Sequence, residues 1–568
     1  MSTSHVEIER KYEAPAEAHP DWSALKRLRP GTTAVDELDA TYYDTASRDL
    51  AAASTVLRRR RGGPDEGWHV KFTLDGRRHE IHVPLLKDRT SMPAAARDLV
   101  SALTLGRELE PIAHLATRRT RTAVLDEDGR EVAEFADDVV RSVDHRTGQE
   151  RTWREWEVEL TDPELSEKRQ EKIFKRVRKV LKEVGASRST AVAKIARALG
   201  QDAAFDEKAG IASAPEPSES EEQQLTGGQR LVAELAGPVL ADLRILDVAV
   251  RAGVEDSVHQ MRIRLRTMRS ILRALRGGLD PEFDETVSQG LKEAGEALGA
   301  ARDLEVVGEV LMRAEQWAEL TRKARRQLSQ LLEEDREAAL RGGYAVLDSE
   351  GYRDVLAALE SLVRRPQLCG WAEDLSAKKL GTHMMETLDE RYRKRIEPAR
   401  RAVEEAEPEE AAESLHEVRK AAKGLRYVIE SLDEADLIRK KQREDAGEAR
   451  EEAKSVQSEV GRLLDLRAAV QWLDRAARVM RRRGLDRYGA GLLAGESGYG
   501  VVLVADADWD GVAAGVAALA AAQPGRPAHR HLVAVAAVLV GDRAGDDRRP
   551  AALGRSVGRP RLRAGPGR

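Results

Sequence analysis

The chain of 568 residues holds one cysteine, Cys369, and only 4% aromatic residues. A single cysteine excludes an internal disulfide framework and any cysteine-rich metal site. So few aromatics, set against 34% charged residues, argue for long exposed helices and against one large globule. Neither charge sign dominates: the net charge is −5, so any site for a polyanion must be a local patch on an acidic background. Long apolar runs are also missing. The longest late one, Leu532 to Val540, is too short to cross a bilayer, and the start passes from Met1 to His5 without a basic-then-apolar leader. These absences lead us to expect a soluble cytoplasmic protein that does not engage membranes.

What is present is a basic helical stripe written twice. His259, Arg262, Arg266 and Arg269 lie at offsets 0, 3, 7 and 10, and His416, Arg419, Lys423 and Arg426 repeat those offsets. At about 100° per residue each set falls within roughly an 80° arc, so each helix presents a column of cations. Arg273 and Lys420 are candidate extensions of the two columns. Each stripe is followed by a second matching element, Leu298-Gly299-Ala300-Ala301-Arg302-Asp303 and then Gly461-Arg462-Leu463-Leu464-Asp465, with Gly and Asp four apart in both. A solvated face is the common fate of helical charge, but such a face normally mixes signs. A repeated column of one sign needs a polyanion or buried carboxylates opposite it.

On these residues the region from about Gln229 to Leu519 resembles the CHAD domain, a conserved-histidine α-helical family associated with inorganic polyphosphate. The resemblance implies polyphosphate binding by His259, Arg262, Arg266, Arg269, Arg273, His416, Arg419, Lys420, Lys423 and Arg426. It departs from the family at Thr267, where a second arginine commonly follows the one matching Arg266, which predicts one phosphate contact fewer. The stripes lack interleaved aromatics for base stacking, Tyr427 being the one ring close to either, so nucleic acid is not the expected partner.

Residues 1 to about 200 read differently. Alternating segments are divided by Asp75-Gly76 and Asp128-Gly129, as hairpin turns would divide them. The spacing predicts an antiparallel sheet domain followed by helices at about 166–184 and 190–199. In Glu7-Ile8-Glu9-Arg10-Lys11 side chains two apart share a strand face, so Glu7, Glu9 and Lys11 oppose Val6, Ile8 and Tyr12. Trp153-Arg154-Glu155-Trp156-Glu157-Val158-Glu159-Leu160 puts three carboxylates on one face in the same way. Between these acidic strands come cations of matching parity: Arg58 and Arg60, Lys71, Arg78 beside Glu80, and Arg119 and Arg121. Arg59, Arg61 and Arg77 have the opposite parity and are expected to face solvent, and His79 to face outward. A cavity lined with both signs suits phosphate oxygens held by cations and a hard divalent metal held by carboxylates.

With Tyr42-Tyr43-Asp44-Thr45 and Leu57-Arg58-Arg59-Arg60 added, about residues 4 to 200 resemble the CYTH domain of the triphosphate tunnel metalloenzymes. The resemblance implies a closed eight-stranded antiparallel β tunnel with flanking helices. It implies Mg²⁺ or Mn²⁺ bound by Glu7, Glu9, Glu157 and Glu159, with Asp138 and Glu134 as helpers, and Glu7, Glu9 and Lys11 at the catalytic centre. Triphosphate would be held by Lys11, Arg58, Arg60, Lys71, Arg78, Arg119, Arg121 and Lys194. The family often has serine before the lysine matching Lys194, and Ala193 stands there here.

The expected fold is therefore an α+β multidomain chain: a tunnel domain over 1–201, a disordered linker over 202–228, an all-α helical-bundle repeat over 229–520 and a Gly/Arg/Pro-rich disordered tail over 521–568. The expected function is a metal-dependent inorganic triphosphatase acting on tripolyphosphate, with a helical module that binds long-chain polyphosphate and can associate with polyphosphate granules. Two alternatives stand beside it: a non-catalytic polyphosphate-binding protein, and a hydrolase or cyclase of an organic triphosphate such as thiamine triphosphate or ATP.

Overall fold

A computed structural model describes residues 3–162, 165–189, 193–200, 225–314, 317–318, 320–405 and 408–485. Alternating segments in the N-terminal part form ten antiparallel strands: β1 (Thr3–Glu7), β2 (Glu9–Glu13), β3 (Arg29–Asp44), β4 (Val56–Arg61), β5 (Gly67–Leu74), β6 (Arg77–Val83), β7 (Glu110–Leu125), β8 (Glu131–Asp144), β9 (Glu150–Leu160) and β10 (Ser187–Arg188). Their order is β1-β6-β5-β4-β3-β7-β8-β9-β2-β10. Asp75 and Gly76 both adopt positive φ, 49° and 72°, which is the two-residue turn that joins β5 to β6.

The ladder is neither eight-stranded nor closed, which corrects the sequence expectation. The first strand breaks at Ile8, so that β1 pairs with β6 while β2 pairs with β9. The two-residue β10 adds a further edge beside β2. The break does not separate the two arms of the sheet. Its one residue carries the chain from one arm to the other, and the Ile8 carbonyl accepts from the Leu160 amide at 2.9 Å.

Among the described residues five α-helices accompany the sheet: α1 (Asp49–Ala52), α2 (Ala94–Leu99), α3 (Ser101–Thr104), α4 (Glu167–Glu183) and α5 (Lys194–Ala198). α4 lays Ile173, Phe174, Val177 and Leu181 over Tyr12, Phe135, Trp156 and Val158, the apolar side of β2, β8 and β9. The polar residues of those strands are left on the other face.

The remainder of the described residues is mainly helical: α6 (Gly227–Arg251), α7 (Ser257–Ala274), α8 (Pro281–Arg313), α9 (Arg322–Leu347), α10 (Glu350–Arg364), α11 (Ala377–Glu405), α12 (Pro408–Glu434) and α13 (Arg443–Arg482). Thr226 and Gln229 form a reciprocal capping box that starts α6, and Asp280 followed by Pro281 starts α8. One large apolar cluster runs through α6, α7, α8, α10, α11 and α12. None of the helices among the described residues is long and apolar enough to cross a membrane.

The two parts pack directly on each other. Val248 and Ala249 of α6 are buried in the cluster that contains Trp68, Phe72 and Leu103. Arg244 donates to the carbonyls of Ala102, at 3.1 Å, and of Leu103. Arg107 joins Asp49 at 2.8 Å and Glu360 at 3.1 Å. Of the expected linker, 202–224 lies outside the described residues, as do the expected tail 521–568 and the run Leu532 to Val540.

Candidate active site and anion cleft

Directly opposed residues of an antiparallel pair share a face. The register opposes Glu7 to Arg78, Lys71 to Glu80, Tyr42 to Arg58, Arg119 to Asp138, Lys11 to Glu157 and Glu9 to Glu159. One face of the sheet therefore carries all of these residues, together with Arg60, Arg121, Glu134 and Glu155, which have matching parity. The two arms meet across it: Arg78 on β6 lies 2.9 Å from Glu9 on β2, which is itself paired with β9.

Charges on this face alternate in a continuous network. Arg58 pairs with Glu80 at 3.4 Å, and Glu80 with Lys71 at 3.1 Å. Lys71 also contacts Glu7, which lies 3.3 Å from Arg78. Lys11 sits 3.3 Å from both Glu9 and Glu157. Arg119 holds Asp138 at 2.7 Å and Glu157 at 2.6 Å, and Arg121 holds Asp36 at 2.5 Å and Glu134 at 3.0 Å. Lys194 reaches in from α5 to Glu155 and Glu157, both at 2.6 Å, and to Asp138 at 3.0 Å, with Ala193 buried beneath it. Burial works to raise the Glu157 carboxyl, but Lys194, Lys11 and Arg119 overcome it and hold it well below the usual range.

Two places on the face break this balance. Burial, followed by repulsion from Glu7 and Glu9, pushes the Glu159 carboxyl up to about 7, and no cation pairs with it among the described residues. Burial, followed by the neighbouring Arg58 and Arg119, pulls the Arg60 guanidinium down to about 9. Its one carboxylate partner among the described residues is Asp65, which is half exposed, and its Nε is buried without a hydrogen bond. The face thus carries a carboxylate short of a cation and a guanidinium short of an anion.

The carboxylates fit a hard divalent cation. Asp138, Glu155 and Glu157 offer oxygens within 4.8 Å of one another, and all three are buried. Near the other end of the face Glu7 Oε2 is buried without a hydrogen bond, 3.3 Å from Arg78 Nε and beside the uncompensated Glu159. Oxygen-only donor sets of this kind suit Mg²⁺ or Mn²⁺.

Several residues on this face were not singled out from sequence as site residues. Glu80 is shared by Arg58, Lys71 and His69, and Glu155 is held by Lys194 and by the Trp153 indole at 2.7 Å. The parity of both was legible beside Arg78 and Glu157, but nothing local revealed their partners. His69 is buried, bonded to Glu80 at 2.7 Å and to the Asp65 carbonyl, and burial depresses it to about 3, which leaves the imidazole neutral. His79 lies on the opposite face as expected, yet it is 7% exposed because Phe72 stacks on it. Arg59 and Arg61 are half-buried rather than solvated, since they donate to the carbonyls of Thr90 and Arg89. Arg77 is exposed.

In the helical part α7 and α12 bring the two stripes together. Gly424 permits the approach, since a Cβ there would sit 3.2 Å from Ser270 Oγ. The Lys423 ammonium is pulled down to about 6 by burial and then by Arg419 and Arg266, one cation from each stripe. The repeated Gly and Asp positions now have a physical reading. A Cβ at Gly299 would stand 2.2 Å from Arg262 Nη1, and one at Gly461 would stand 2.8 Å from Arg419 Nη2. Each glycine makes room for the stripe arginine to lie against the next helix. The aspartate one turn on stands 3.8 Å from Arg262, as Asp303, or 3.7 Å from Arg419, as Asp465.

These two aspartates do not neutralise the cleft. Burial takes Arg262 down to about 10, and the Nε atoms of Arg262, Arg302, Arg419 and Arg426 are buried without hydrogen bonds. His259 is depressed by burial and Arg302, and His416 by burial and Lys420 to about 4. Arg269 is half-buried near Glu296, and Arg273 is taken down to about 10 by burial and Arg391. Arg426 lies 3.5 Å from Glu430 and over the Tyr427 ring.

Lys420 is exposed and bonded to Glu417 at 2.9 Å, and it also acts on His416 at the start of the second stripe. One expectation needs correction here. Thr267 is 4% exposed with its hydroxyl donating to the Ile263 carbonyl, so it belongs to the packed side of α7 and its lack of an arginine leaves no gap in the cleft.

Comparison with known proteins agrees with this two-part geometry. The CYTH domain model matches residues 5–196 and the CHAD domain model matches residues 234–474. The chain carries a CYTH domain followed by a CHAD domain, the sheet and the helical bundle respectively. An uncharacterized protein of Mycobacterium tuberculosis (strain ATCC 25618 / H37Rv) is 29% identical over 505 residues, which cover 86% of this chain and 92% of that protein. Among solved structures, the CHAD domain of Ricinus communis is similar at 22% identity and a TM-score of 0.38, covering 51% of this chain and 92% of its own. A Hippeastrum protein described as a "putative adenylyl cyclase" that "reveals a dominant" triphosphatase activity matches at 17% identity and a TM-score of 0.20, covering 34% of this chain and 95% of its own.

Proposed function

We propose that the protein is a metal-dependent inorganic triphosphatase whose helical half binds inorganic polyphosphate. The observation that carries this reading is the uneven charge of the sheet face. A carboxylate cluster with no cation paired to Glu159, and a guanidinium cluster in which Arg60 is paired only with the exposed Asp65 among the described residues, are complementary to a metal–triphosphate complex.

Glu7, Glu9 and Glu159, with Asp138, Glu155 and Glu157, would hold Mg²⁺ or Mn²⁺, and the metal when bound supplies charge neutralisation and activation of water. Arg58, Arg60 and Arg119 bind and orient the phosphate oxygens, and Lys11, Lys71, Arg78 and Arg121 extend the cationic lining. As the bond from the terminal phosphorus to its bridging oxygen breaks, these cations stabilise charge on the transferring and leaving groups. Lys194 and Arg119 keep Asp138 and Glu157 ionised, and Lys194 also pairs with Glu155, fixing the acidic wall before substrate arrives.

In the helical cleft the same logic runs with one sign. Cations facing cations across α7 and α12 favour a bare polyanion, and guanidinium and ammonium groups both serve phosphate. Because α6 is packed into the sheet domain, the cleft stands in a fixed relation to the tunnel face, not on a free tether.

The test is phosphate release from tripolyphosphate with Mg²⁺ or Mn²⁺, comparing the full chain with a Glu7→Gln, Glu9→Gln variant. The reading requires turnover that the variant loses while keeping polyphosphate binding. Absence of turnover in both proteins, on tripolyphosphate, thiamine triphosphate and ATP alike, would overturn it.

A further inference from the structure

A third basic column lies outside both sites. α4 reads EKRQEKIFKRVRKVLKE, with eight Lys or Arg against three Glu. Lys168, Lys172, Lys175, Lys179 and Lys182 follow one another at steps of four and three residues, so they share roughly an 80° arc of the helix. The opposite arc is the apolar one: Ile173, Phe174, Val177 and Leu181 are buried against the outer side of β2, β8 and β9, and Val180 is buried as well. All five lysines are exposed.

Carboxylates do not compensate the column. Glu171 is committed to Arg10 at 2.5 Å, and Glu183 stands 4.0 Å from Lys179 at the far end. Lys168, Lys172, Lys175 and Lys182 have no ion pair among the described residues. Like charges three or four apart destabilise a helix, so this arrangement carries a standing cost that mixed signs would remove. The cationic surface continues sideways. Arg178 on α4 is exposed and lies one step round the helix from Lys182, at the edge of the column.

The chemistry of the column selects among polyanions. It holds no exposed aromatic ring on which a base could stack. It holds no exposed apolar side chain that could enter a bilayer. Lysine ammonium groups are mobile point charges, suited to a flexible chain of phosphates without fixed geometry. At about 1.5 Å per residue the five lysines run along about 21 Å of helix axis, enough to engage several successive phosphates.

We propose that the lysine column of α4 is an external binding face for long-chain inorganic polyphosphate, holding polymer on the outside of the wall whose inner face carries Glu9, Lys11 and Glu157. This rests on the reading that the protein handles inorganic polyphosphates, but it does not require that the tunnel turn them over.

The experiment uses the full chain with the cleft neutralised by Arg266→Gln and Lys423→Gln, so that residual binding of long-chain sodium polyphosphate reports other sites. Adding Lys172→Gln, Lys175→Gln and Lys179→Gln is expected to lower that residual affinity at least tenfold and to flatten its salt dependence. Lys175→Glu alone should weaken it more than Lys175→Gln. Hydrolysis of tripolyphosphate, too short to need the column, should keep its kcat/KM in the α4 variant. No residual binding in the cleft-neutralised protein, or residual binding that ignores the α4 changes, would overturn the proposal. So would binding of duplex DNA or phosphatidylserine vesicles to the column as tight as that of polyphosphate at the same salt. A protein that hydrolyses nothing but still binds polymer through α4 would sink the triphosphatase reading and leave this one standing.

Discussion

The sheet face and the helical cleft both gather cations, and they differ in what stands opposite them. On the sheet each of Arg58, Lys71, Arg78, Lys11, Arg119 and Lys194 has a carboxylate partner within 3.5 Å. In the cleft Arg262 and Arg419 reach their aspartates only at 3.8 and 3.7 Å, and Lys423 has no ion pair among the described residues. The difference teaches how charge balance sets ligand class. A face of both signs holds its own charges in register and receives a metal and an anion together, whereas a cleft of one sign is strained until an anion arrives.

The comparison is broken most forcefully by reversing the cleft. An Arg266→Glu, Lys423→Glu variant gives the α7–α12 interface the carboxylates it lacks. With charge-assisted hydrogen bonds worth about 1.5–3 kcal/mol each, polyphosphate affinity should fall by roughly 100-fold or more. Tripolyphosphate hydrolysis should be unchanged, because the sheet face is untouched. Titration of polymer alongside the phosphate-release assay checks both halves of the statement.

A second test sharpens the tunnel side through pH. The Glu159 carboxyl is raised from 4.5 to about 7. A raised carboxyl gives stability that is present below its ordinary pKa and is lost as pH rises through the folded value. Without metal, thermal stability should therefore decline between about pH 4.5 and 7. A divalent cation competes with protons for the same carboxylate, so Mn²⁺ or Mg²⁺ should raise Tm little at pH 5.5 and by several degrees at pH 8. Glu159→Gln should flatten the decline and shrink the metal response, which calorimetry with and without EDTA would read.

How much of this was legible in sequence follows from the reach of each signal. Alternation placed Glu7, Glu9, Lys11, Arg58, Arg60, Lys71, Arg78, Arg119 and Arg121 on a common parity, and the strand register puts them on one face. Helical offsets picked out the two stripes, and these meet across α7 and α12. Long-range pairing was not legible. Nothing near Lys194 announces that its ammonium sits among Asp138, Glu155 and Glu157, and nothing near Ile8 says that one residue carries the strand from β6 to β9. The docking of α6 through Val248 and Arg244 was hidden for the same reason, since an apolar residue in a helix does not say which domain covers it. The α4 column was readable by the reasoning applied to the stripes, but it occurs once, without the repetition that drew attention to the others.

Lys423 offers a third test, smaller in effect and opposite in sign for stability and binding. Its ammonium is lowered from 10.5 to about 6, so between those values the unfolded chain binds a proton that the folded chain does not. Stability of the free protein should then rise with pH across that window. Lys423→Met should abolish the rise and, by removing an amine that must give up its proton on folding, add about 1 kcal/mol at pH 7, or roughly 2–4 °C in Tm. Polymer binding should weaken in the same variant. In the wild type, binding at pH 8 should take up a proton and weaken as pH rises from 6 to 8, and isothermal titration in buffers of different ionisation enthalpy would show it.

The finest cut concerns the repeated glycines. Gly→Ala gains about 1 kcal/mol of helix propensity, and although Gly299 in α8 is buried, the atom its new Cβ would crowd is the far end of the Arg262 side chain, so the substitution should cost the fold little. The new Cβ would meet Arg262 Nη1, the far end of a flexible side chain, at 2.2 Å and push it off its place near Asp303. Affinity for polyphosphate should drop by about two- to fivefold, a loss of roughly 0.4–1 kcal/mol, while Tm holds or rises. Gly461→Ala, with its contact to Arg419 at 2.8 Å, should do the same more mildly. If both variants bound polymer as the wild type does, the glycines would be serving helix packing alone, and the two-fold repeat would have to be explained by the fold and not by the placement of its arginines.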